Sequence, residues 1–447
     1  MNSNAGSASI STDRLATRIL WGLVIGIVLG LLARWLSSAV PSTDKQIQWL
    51  AVQVLDPIGK VFLRLLFFVV VPLVFASLAL GVLQLGRLDK LGKMAAWTFL
   101  IFAINMAVGV VLGLVLMNMV DPGSRLDEVT QKRMLAQFGQ GAIEAKEKAA
   151  QLTGLSFDSI VEMFMPRNIL RSVVEFDLLP MILFALLFGM AGTTLATSRR
   201  QSLSESLETI IEVMTRIVHW ALMLAPIAVP AMIFSVTVKF GLEFLQSLAW
   251  FVGVVLVAMV FQLFIVMSAL LKIGAGRSPV IFFRAIRTIL ITAFSTSSSN
   301  ATLPTTIQVS RDKLGISPST AGFVLPLGAT MNMSGTALYE GCVVLFVAQI
   351  YGIDLSITQQ ATLVLLAVLS AVAVAGVPGA SLPLIVGLLV NFGLPGEGVA
   401  MILGIDRLLD MARTVLNVAG DVVTACIVDK RLGMGSADLA PEVSGAG

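Results

Sequence analysis

Long apolar runs recur along the chain and alternate with short polar connections. Runs of the roughly 20 residues that a helix needs to cross a bilayer lie at residues 15–36, 50–84, 94–120, 169–196, 206–238, 246–271, 318–350 and 397–428. Several are longer than a perpendicular crossing requires, so we expect tilted helices. The pattern predicts an all-α polytopic membrane protein with eight transmembrane helices.

Composition agrees with this pattern and excludes an ordinary soluble domain. Of 447 residues, 57% are hydrophobic and 13% are charged, and the mean hydropathy is +0.92. Basic residues concentrate in alternate connections, which by the positive-inside rule places both termini in the cytoplasm. The polar N-terminus carries no cleavage-type site, so the first run is read as a retained helix. Cys342 and Cys426 lie in apolar runs and indicate neither a disulfide framework nor a metal site.

Two apolar segments are interrupted by polar or small residues. Hairpin one, residues 279–313, breaks at "STSSSNATLP", and basic residues near both of its ends place both ends inside. Hairpin two, residues 356–395, breaks at "AGVPGAS" and mirrors the first from outside. Irregular backbone at membrane depth is tolerated only where protein or water covers it. We therefore predict two re-entrant helical hairpins, an inverted-repeat arrangement typical of transporters, with tips that face each other across a site.

The last apolar run carries a stripe of polar residues. Asp406, Asp410, Arg413, Asn417 and Asp421 are spaced by four, three, four and four residues, which keeps them within roughly 80° on a helix. Charged groups at mid-membrane cost about 2.5–3.5 kcal/mol each on insertion scales, so the stripe indicates function. A buried ion-pair stripe that joins helices is the alternative.

The chemistry of this stripe suggests a ligand. An arginine fork suits a carboxylate, and the aspartates suit an ammonium group or a hard cation. One molecule that carries both charges is an amino acid with an acidic side chain. A second interruption, "GATMNMSGTALYEG", includes Asn332 and Gly335. An unwound turn there would free carbonyls for a small cation such as Na⁺, although a packed Gly/Ser seam would use the same residues.

The motifs "SSSNATLP", "NMSGTALYE", "AGVPGAS" and "DMARTVLNVAGD" together resemble the dicarboxylate/amino acid:cation symporter family, the prokaryotic-type homologues of glutamate/aspartate transporters. The resemblance implies an elevator-type glutamate transporter fold. It also implies a homotrimer in the inner (plasma) membrane, with the lipid bilayer and an acidic amino acid as its other partners. No nucleic-acid partner, no cofactor and no enzymatic activity are expected.

The resemblance also implies a division of the chain. We expect a cytoplasmic tail at 1–14, a scaffold and trimerisation domain at 15–90 and 166–240, and an extracellular loop at 121–165. The transport domain would comprise 91–120 and 246–432, including both hairpins, followed by a flexible cytoplasmic tail at 433–447.

For the substrate, the resemblance implies that Arg413 clamps the side-chain carboxylate, that Asp406 orients Arg413, and that Asp410 takes the α-ammonium group. The remaining implied contacts are Ser297, Ser298, Ser299, Thr336, Thr414 and Asn417, with closure from outside by Val377, Pro378 and Gly379. Family members that carry dicarboxylates usually lack the acid at 410, and members for neutral amino acids lack the arginine at 413. Both are present here, which favours glutamate or aspartate.

The implied coupling sites depart from the family pattern. Sodium site one would use Gly328, Asn332, Asn417 and Asp421, and sodium site two Thr330, Met333, Ala371, Val372 and Val374. A third site normally needs an aspartate where this chain has Ser334, and its partners align with Phe102, Asn105 and Met106. We expect that third site to be lost or altered.

Glu340 matches a position that is linked to proton coupling in relatives, so coupling to fewer sodium ions plus a proton, or to protons alone, is the working hypothesis. A proton-coupled C4-dicarboxylate carrier and an associated anion channel remain alternatives. A membrane serine hydrolase is disfavoured, because His219 is the only histidine and lies far from the serines.

Overall fold

The structure is a computed structural model that describes residues 4–85, 92–125, 165–174, 178–374, 376 and 378–433. Most of the predicted extracellular loop and C-terminal tail lie outside these residues. The described part is helical throughout. Its α-helices are α1 Asn4–Ala39, α2 Asp44–Trp49, α3 Asp56–Leu85, α4 Gly92–Val120, α5 Ile169–Val174, α6 Leu178–Thr193, α7 Thr197–Phe261, α8 Met267–Leu270, α9 Pro279–Thr296, α10 Ser299–Leu314, α11 Pro318–Met331, α12 Ser334–Ile350, α13 Ile357–Ala373, α14 Leu382–Asn391 and α15 Leu403–Leu432.

The described helices are suited to a bilayer. Seven stretches are long and apolar enough to cross one: Thr17–Ala39, Pro41–Leu83, Gly92–Arg125, Thr197–Ala275, Pro279–Thr296, Pro318–Ile350 and Ile405–Leu432. This confirms an all-helical protein with several membrane-spanning helices. The predicted total of eight crossings and the re-entrant path of the hairpins stay predictions.

Glycine and proline set the places where the long helices bend. Helix α7 is broken at Gly241, whose φ of 74° and ψ of −158° lie outside helical geometry. The predicted helix 206–238 lies in the first half of this kinked element, and the predicted helix 246–271 begins in its second half and continues past Phe261 through α8. Left-handed φ values favour glycine because it lacks a Cβ.

Small residues allow α1 to lie directly on the first half of α7. A Cβ atom at Gly26 would sit 2.7 Å from the Pro230 carbonyl oxygen, and one at Gly30 would sit 2.7 Å from Thr237 Cβ. Helix α3 also packs along α7, where the Asp56 carboxylate pairs with Lys239 and accepts from the Ser235 hydroxyl. These contacts hold α1, α3 and α7 together as one bundle.

Helix α12 lies at the centre of the second half of the molecule. All of its residues from Ser334 to Ile350 are buried, and it packs against α4, α13 and α15. A helix that is apolar on all sides is expected to be enclosed by protein or lipid. Gly335 brings α12 against α15, since a Cβ atom there would lie 2.4 Å from the Arg413 carbonyl oxygen.

Candidate functional site

Three breaks in the helical backbone meet beside α15. Hairpin one turns between α9 and α10 at Ser297, which has a left-handed φ of 49°. The second break, at Asn332 and Met333, separates α11 from α12. The third lies between α13 and α14 in hairpin two. Each break leaves backbone groups without helical partners, and such groups are free to bind a ligand.

The tips of the two hairpins are in direct contact. The Ser298 hydroxyl donates a hydrogen bond to the Gly376 carbonyl at 2.7 Å. The backbone N–H of Asn300 donates to the same oxygen at 3.2 Å. Ser298 also caps α10, because its hydroxyl accepts from the Ala301 amide at 3.1 Å. In the described residues, the segment at Ser298 and the segment at Gly376 therefore lie in contact. Val377, predicted to close the site, lies outside them.

A polar cavity lies beneath these tips. It encloses about 250 Å³ of free space, counting the part open to solvent. Its walls come from both hairpins, the α11–α12 break and α15: Ser297, Ser299, Met333, Thr336, Val374, Gly376, Ala380, Ser381, Asp410, Thr414 and Asn417. Six of the predicted substrate contacts, namely Ser297, Ser299, Thr336, Asp410, Thr414 and Asn417, therefore share one cavity.

The predicted polar stripe of α15 faces inward along its full length. The exposed fractions are 5% for Asp406, 7% for Asp410, 1% for Arg413, 3% for Asn417 and 2% for Asp421. Five polar side chains this deeply buried need internal partners, because an unpaired buried charge costs several kcal/mol. Their partners divide the stripe into an ionic half and an amide half.

In the ionic half, Arg413 lies between the two aspartates. Its Nε donates to Asp410 Oδ1 at 3.0 Å, and its Nη1 donates to Asp406 Oδ1 at 3.2 Å. The guanidinium carbon also lies 4.6 Å from the centroid of the Tyr339 ring, a cation–π contact. Asp406 and Tyr339 thus both contact Arg413, which stands behind the cavity wall rather than lining it.

Asp410 connects this ionic half to hairpin two. Its Oδ2 atom accepts from the Gly379 amide at 3.3 Å and from Arg407 Nη1 at 3.4 Å. Gly379 has a φ of +74°, which favours glycine. Gly379 is thus in direct contact with Asp410, and the neighbouring Pro378 is half-buried.

The amide half ties α15 to the α11–α12 break. Asn417 Oδ1 accepts from the Gly335 amide at 2.7 Å, and its Nδ2 lies 3.2 Å from Met333 Sδ and 3.5 Å from Thr336 Oγ1. Thr414 donates its hydroxyl to the Asp410 carbonyl at 2.7 Å. The side chain of Asn417 is thus used to hold the broken helix in register.

The residues predicted for sodium site one lie together. Asn332 Nδ2 donates to Asp421 Oδ1 at 2.8 Å, and a Cβ atom on Gly328 would lie 2.3 Å from that same oxygen. Asn332 Oδ1 is buried and has no hydrogen-bond partner among the described residues. A buried carboxylate beside a free amide oxygen and an unwound backbone fits a hard cation, which prefers oxygen ligands.

The residues predicted for sodium site two lie at the α11–α12 break and at the end of α13. Thr330 is exposed and donates its hydroxyl to the Leu327 carbonyl at 3.0 Å. Ala371 and Val374 are buried at the end of α13, where the Val374 amide donates to the Ala371 carbonyl at 3.3 Å. Met333 lines the cavity, and Val372 is half-buried. The oxygens that these described residues offer to an ion are their backbone carbonyls and the Thr330 hydroxyl.

Neutral side chains surround Ser334 and Asn105, two of the residues that align with the family's third sodium site. Gln262 Nε2 donates to Asn105 Oδ1 at 2.9 Å. A Cβ atom on Gly420 would lie 2.7 Å from Asn105 Nδ2, 2.9 Å from Asn332 Nδ2 and 3.4 Å from Ser334 Oγ. Phe102 and Met106 are buried beside this group on α4. The side chains named here are neutral, and the acid bonded to them in the described residues is Asp421, which accepts from Asn332 Nδ2.

Glu340 is fully buried at the centre of α12. The Ser370 hydroxyl of α13 is its neighbour, yet neither carboxyl oxygen makes a hydrogen bond of good geometry within the described residues. A carboxylate anion without a partner is disfavoured in an apolar interior. The environment of Glu340 therefore suits a group that carries a proton.

Sequence reasoning missed several residues of this site. Arg407 and Tyr339 contact the ionic half, while Gly376, Ala380 and Ser381 line the cavity. Arg407 was detectable, because it stands three residues before Asp410 and thus on the same face of the helix. Tyr339 carried no such signal, since its role depends on how α12 packs against α15.

Comparison with known proteins agrees with this architecture. Residues 15–431 match the model of the sodium:dicarboxylate symporter family. The chain belongs to this family. Its members are symporters, so the protein is a transporter and not an enzyme.

Relatives within the family cover nearly the whole chain. The proton/glutamate-aspartate symporter of Escherichia coli (strain K12) is 34% identical over 416 residues, 93% of this chain and 92% of that protein. The proton/sodium-glutamate symport protein of Bacillus subtilis (strain 168) is 36% identical over 421 residues, 94% of this chain and 93% of that protein. A C4-dicarboxylate transport protein of the same Bacillus strain is 27% identical over 419 residues, 93% of each chain.

Proposed function

We propose that this protein is a secondary active symporter that takes up L-glutamate or L-aspartate together with Na⁺, H⁺ or both. One observation supports the proposal most: Asp410 borders a polar cavity between two hairpin tips while Arg413 stands directly behind it. An acidic amino acid carries the two charges that this pair complements. The names of the Escherichia coli and Bacillus relatives support the same substrate class.

In this proposal, binding exchanges internal partners for substrate groups. The substrate ammonium binds the Asp410 carboxylate, and the substrate side-chain carboxylate binds the Arg413 guanidinium. Asp406 and Tyr339 keep this guanidinium oriented. The α-carboxylate lies against the hairpin-one serines and the amide of Asn417. A bidentate arginine–carboxylate contact gives both strength and selectivity for an acidic side chain.

Transport follows an elevator mechanism in a homotrimer with both termini in the cytoplasm. The scaffold at 15–90 and 166–240 stays fixed, while residues 91–120 and 246–432 move with the enclosed substrate. The bundle of α1, α3 and the first half of α7 supports the first unit, and the packing of α4, α12 and α15 supports the second.

The coupling ions are assigned from the environments of three groups. Asp421 with Gly328 and Asn332 takes a sodium ion, and Glu340 carries a proton. The neutral amides around Gly420 take no third sodium ion, because the carboxylate bonded to them, Asp421, already serves the first sodium ion and no second carboxylate offsets the cost of dehydrating another.

A C4-dicarboxylate is the second candidate substrate, since a dicarboxylate transport protein is among the relatives. Asp410 argues against it, because a dianionic substrate adds like charge beside this buried carboxylate and brings no ammonium group to it.

Uptake of radiolabelled L-aspartate, L-glutamate and succinate into proteoliposomes, with the Na⁺ and pH gradients imposed separately, tests the proposal. We expect saturable uptake of the amino acids that exceeds that of succinate and responds to at least one gradient. Uptake that is fastest for succinate would support the dicarboxylate carrier, and the absence of gradient-driven uptake would refute symport.

A further inference from the structure

Arg407 is a buried cation that the substrate site does not explain. It lies in α15, three residues before Asp410, and is 9% exposed. Its single ion-pair partner in the described residues is Asp410, at 3.4 Å from Nη1 to Oδ2. Its Nη2 atom is buried and has no hydrogen-bond partner there. An unsatisfied buried donor costs about 1–3 kcal/mol, so this arginine is held weakly.

Arg413 differs from Arg407 in how firmly it is held. Arg413 contacts Asp410 at 3.0 Å through Nε and Asp406 at 3.2 Å through Nη1, and it stacks on Tyr339. Truncating or moving Arg413 would therefore break three contacts, whereas moving Arg407 breaks one. Of the two arginines on Asp410, Arg407 is the one that a ligand can displace.

The carboxylate of Asp410 has no room for a further donor at Oδ2. A carboxylate oxygen offers about two acceptor positions, and at Oδ2 these are taken by the Gly379 amide and Arg407 Nη1. Oδ1 is occupied by Arg413. A substrate ammonium that keeps Gly379 in place must therefore take the position of Arg407.

This exchange keeps the charge of the ionic half balanced. Without substrate, the two carboxylates Asp406 and Asp410 face the two guanidinium groups Arg407 and Arg413. The tip of hairpin two can then keep the Gly379–Asp410 hydrogen bond without burying an unpaired charge. Gly379 also packs on the first half of α7, since a Cβ atom there would lie 2.8 Å from Leu222 Cδ1.

We infer that Arg407 stands in for the substrate ammonium on Asp410 when the site is empty, and thereby supports the return of the unloaded carrier. The inference rests on the proposed function, because it needs Asp410 to be the ammonium ligand of a symporter. Net uptake requires the empty carrier to return after each release. Exchange of internal for external substrate does not, since the carrier returns loaded.

The test compares net uptake with exchange for Arg407→Gln, Arg407→Lys and wild type in proteoliposomes. Net uptake of radiolabelled L-aspartate is measured into substrate-free vesicles under imposed Na⁺ and pH gradients, and exchange into vesicles preloaded with unlabelled L-aspartate. We expect the ratio of net uptake to exchange to fall at least about fivefold in Arg407→Gln, because closure would bury a less compensated Asp410. Arg407→Lys retains a cation and restores most of the ratio.

Arg431→Gln is the matched control, because it removes an exposed arginine of the same helix that stacks on Trp97, and it keeps the wild-type ratio. Should Arg407→Gln not purify as a monodisperse protein, Arg407→Met preserves the packing of the buried stem and has the same expected ratio. A ratio within twofold of wild type, with exchange intact, overturns the role of Arg407 alone. Wild-type protein that neither exchanges nor accumulates L-aspartate refutes the proposed function, and the inference falls with it.

Discussion

The Ser298 hydroxyl and the Gly376 carbonyl are joined by a 2.7 Å hydrogen bond, although 78 residues separate them in the chain. This bond links the tip of hairpin one to the tip of hairpin two directly above the cavity. Residues of both tips line that cavity, so the affinity for substrate depends on how firmly the tips are joined.

Ser298→Ala removes this bond and the N-cap of α10. We expect substrate affinity to fall about fivefold, since one buried hydrogen bond contributes about 1 kcal/mol. The measurement is the concentration dependence of L-aspartate uptake. Ser356→Ala is the control, because Ser356 caps α13 in the same way without touching the other hairpin. An equal loss in both variants would mean that capping, not the contact between the tips, sets the affinity.

Gly335→Ala tests the contact between α12 and α15. The added methyl group would lie 2.4 Å from the Arg413 carbonyl oxygen and 2.8 Å from Arg413 Cα, and backbone atoms cannot move aside cheaply. Overpacking of this kind costs about 1–3 kcal/mol, so thermal unfolding of the purified variant should begin at lower temperature. Gly322→Ala, in helix α11 with no atom within 4 Å of the new methyl group, should unfold like wild type. Equal stability of the two variants would contradict the close approach.

Glu340→Gln removes the proposed proton carrier and preserves its size. We expect uptake driven by a pH gradient to be lost while exchange continues, because a neutral amide cannot bind and release the coupled proton. Substrate-dependent acidification of the vesicle interior measures this directly. Glu212→Gln, at an exposed ion pair with Arg216, is the control. Unchanged proton movement in Glu340→Gln would assign coupling to another group.

Ser334→Asp places a carboxylate among the neutral amides around Gly420. Because hard cations prefer carboxylate and carbonyl oxygens, we expect L-aspartate binding to become more dependent on Na⁺. The dependence is read from binding isotherms at several Na⁺ concentrations. Ser334→Asn, which is similar in size but uncharged, should bind as wild type does. A sodium dependence identical in all three proteins would show that this position does not hold an ion.

Local sequence signals predicted the interrupted helices and the buried stripe well. The residue types at "STSSSNATLP" and "NMSGT" disfavour continuous helix, and the structure breaks at Ser297 and at Asn332. The spacing of the stripe by three and four residues predicted one inward face, and all five members are buried. The kink at Gly241 is local as well, since the apolar pattern already stops between residues 238 and 246.

Contacts between segments far apart in the chain could not be predicted from sequence patterns. The stacking of Tyr339 on Arg413 and the amide cluster of Gln262 with Asn105 depend on which helix faces meet. The withdrawal of Arg413 behind the cavity wall follows from its two aspartate partners. A spacing rule places such residues on one face but cannot decide between an internal partner and a ligand.

Substrate selectivity of Arg413→Cys is the most direct test of the central claim, which is that Arg413 and Asp410 together select an acidic amino acid. Inhibition of radiolabelled L-aspartate uptake by unlabelled L-aspartate and L-serine is compared with wild type, with Arg431→Cys as control. Truncating one partner of a buried charge pair costs about 2–5 kcal/mol. We predict that wild type prefers L-aspartate strongly and that the half-inhibitory concentration of L-serine, relative to that of L-aspartate, falls at least about thirtyfold in Arg413→Cys. An Arg413→Cys protein that still prefers L-aspartate over L-serine as wild type does would contradict the account.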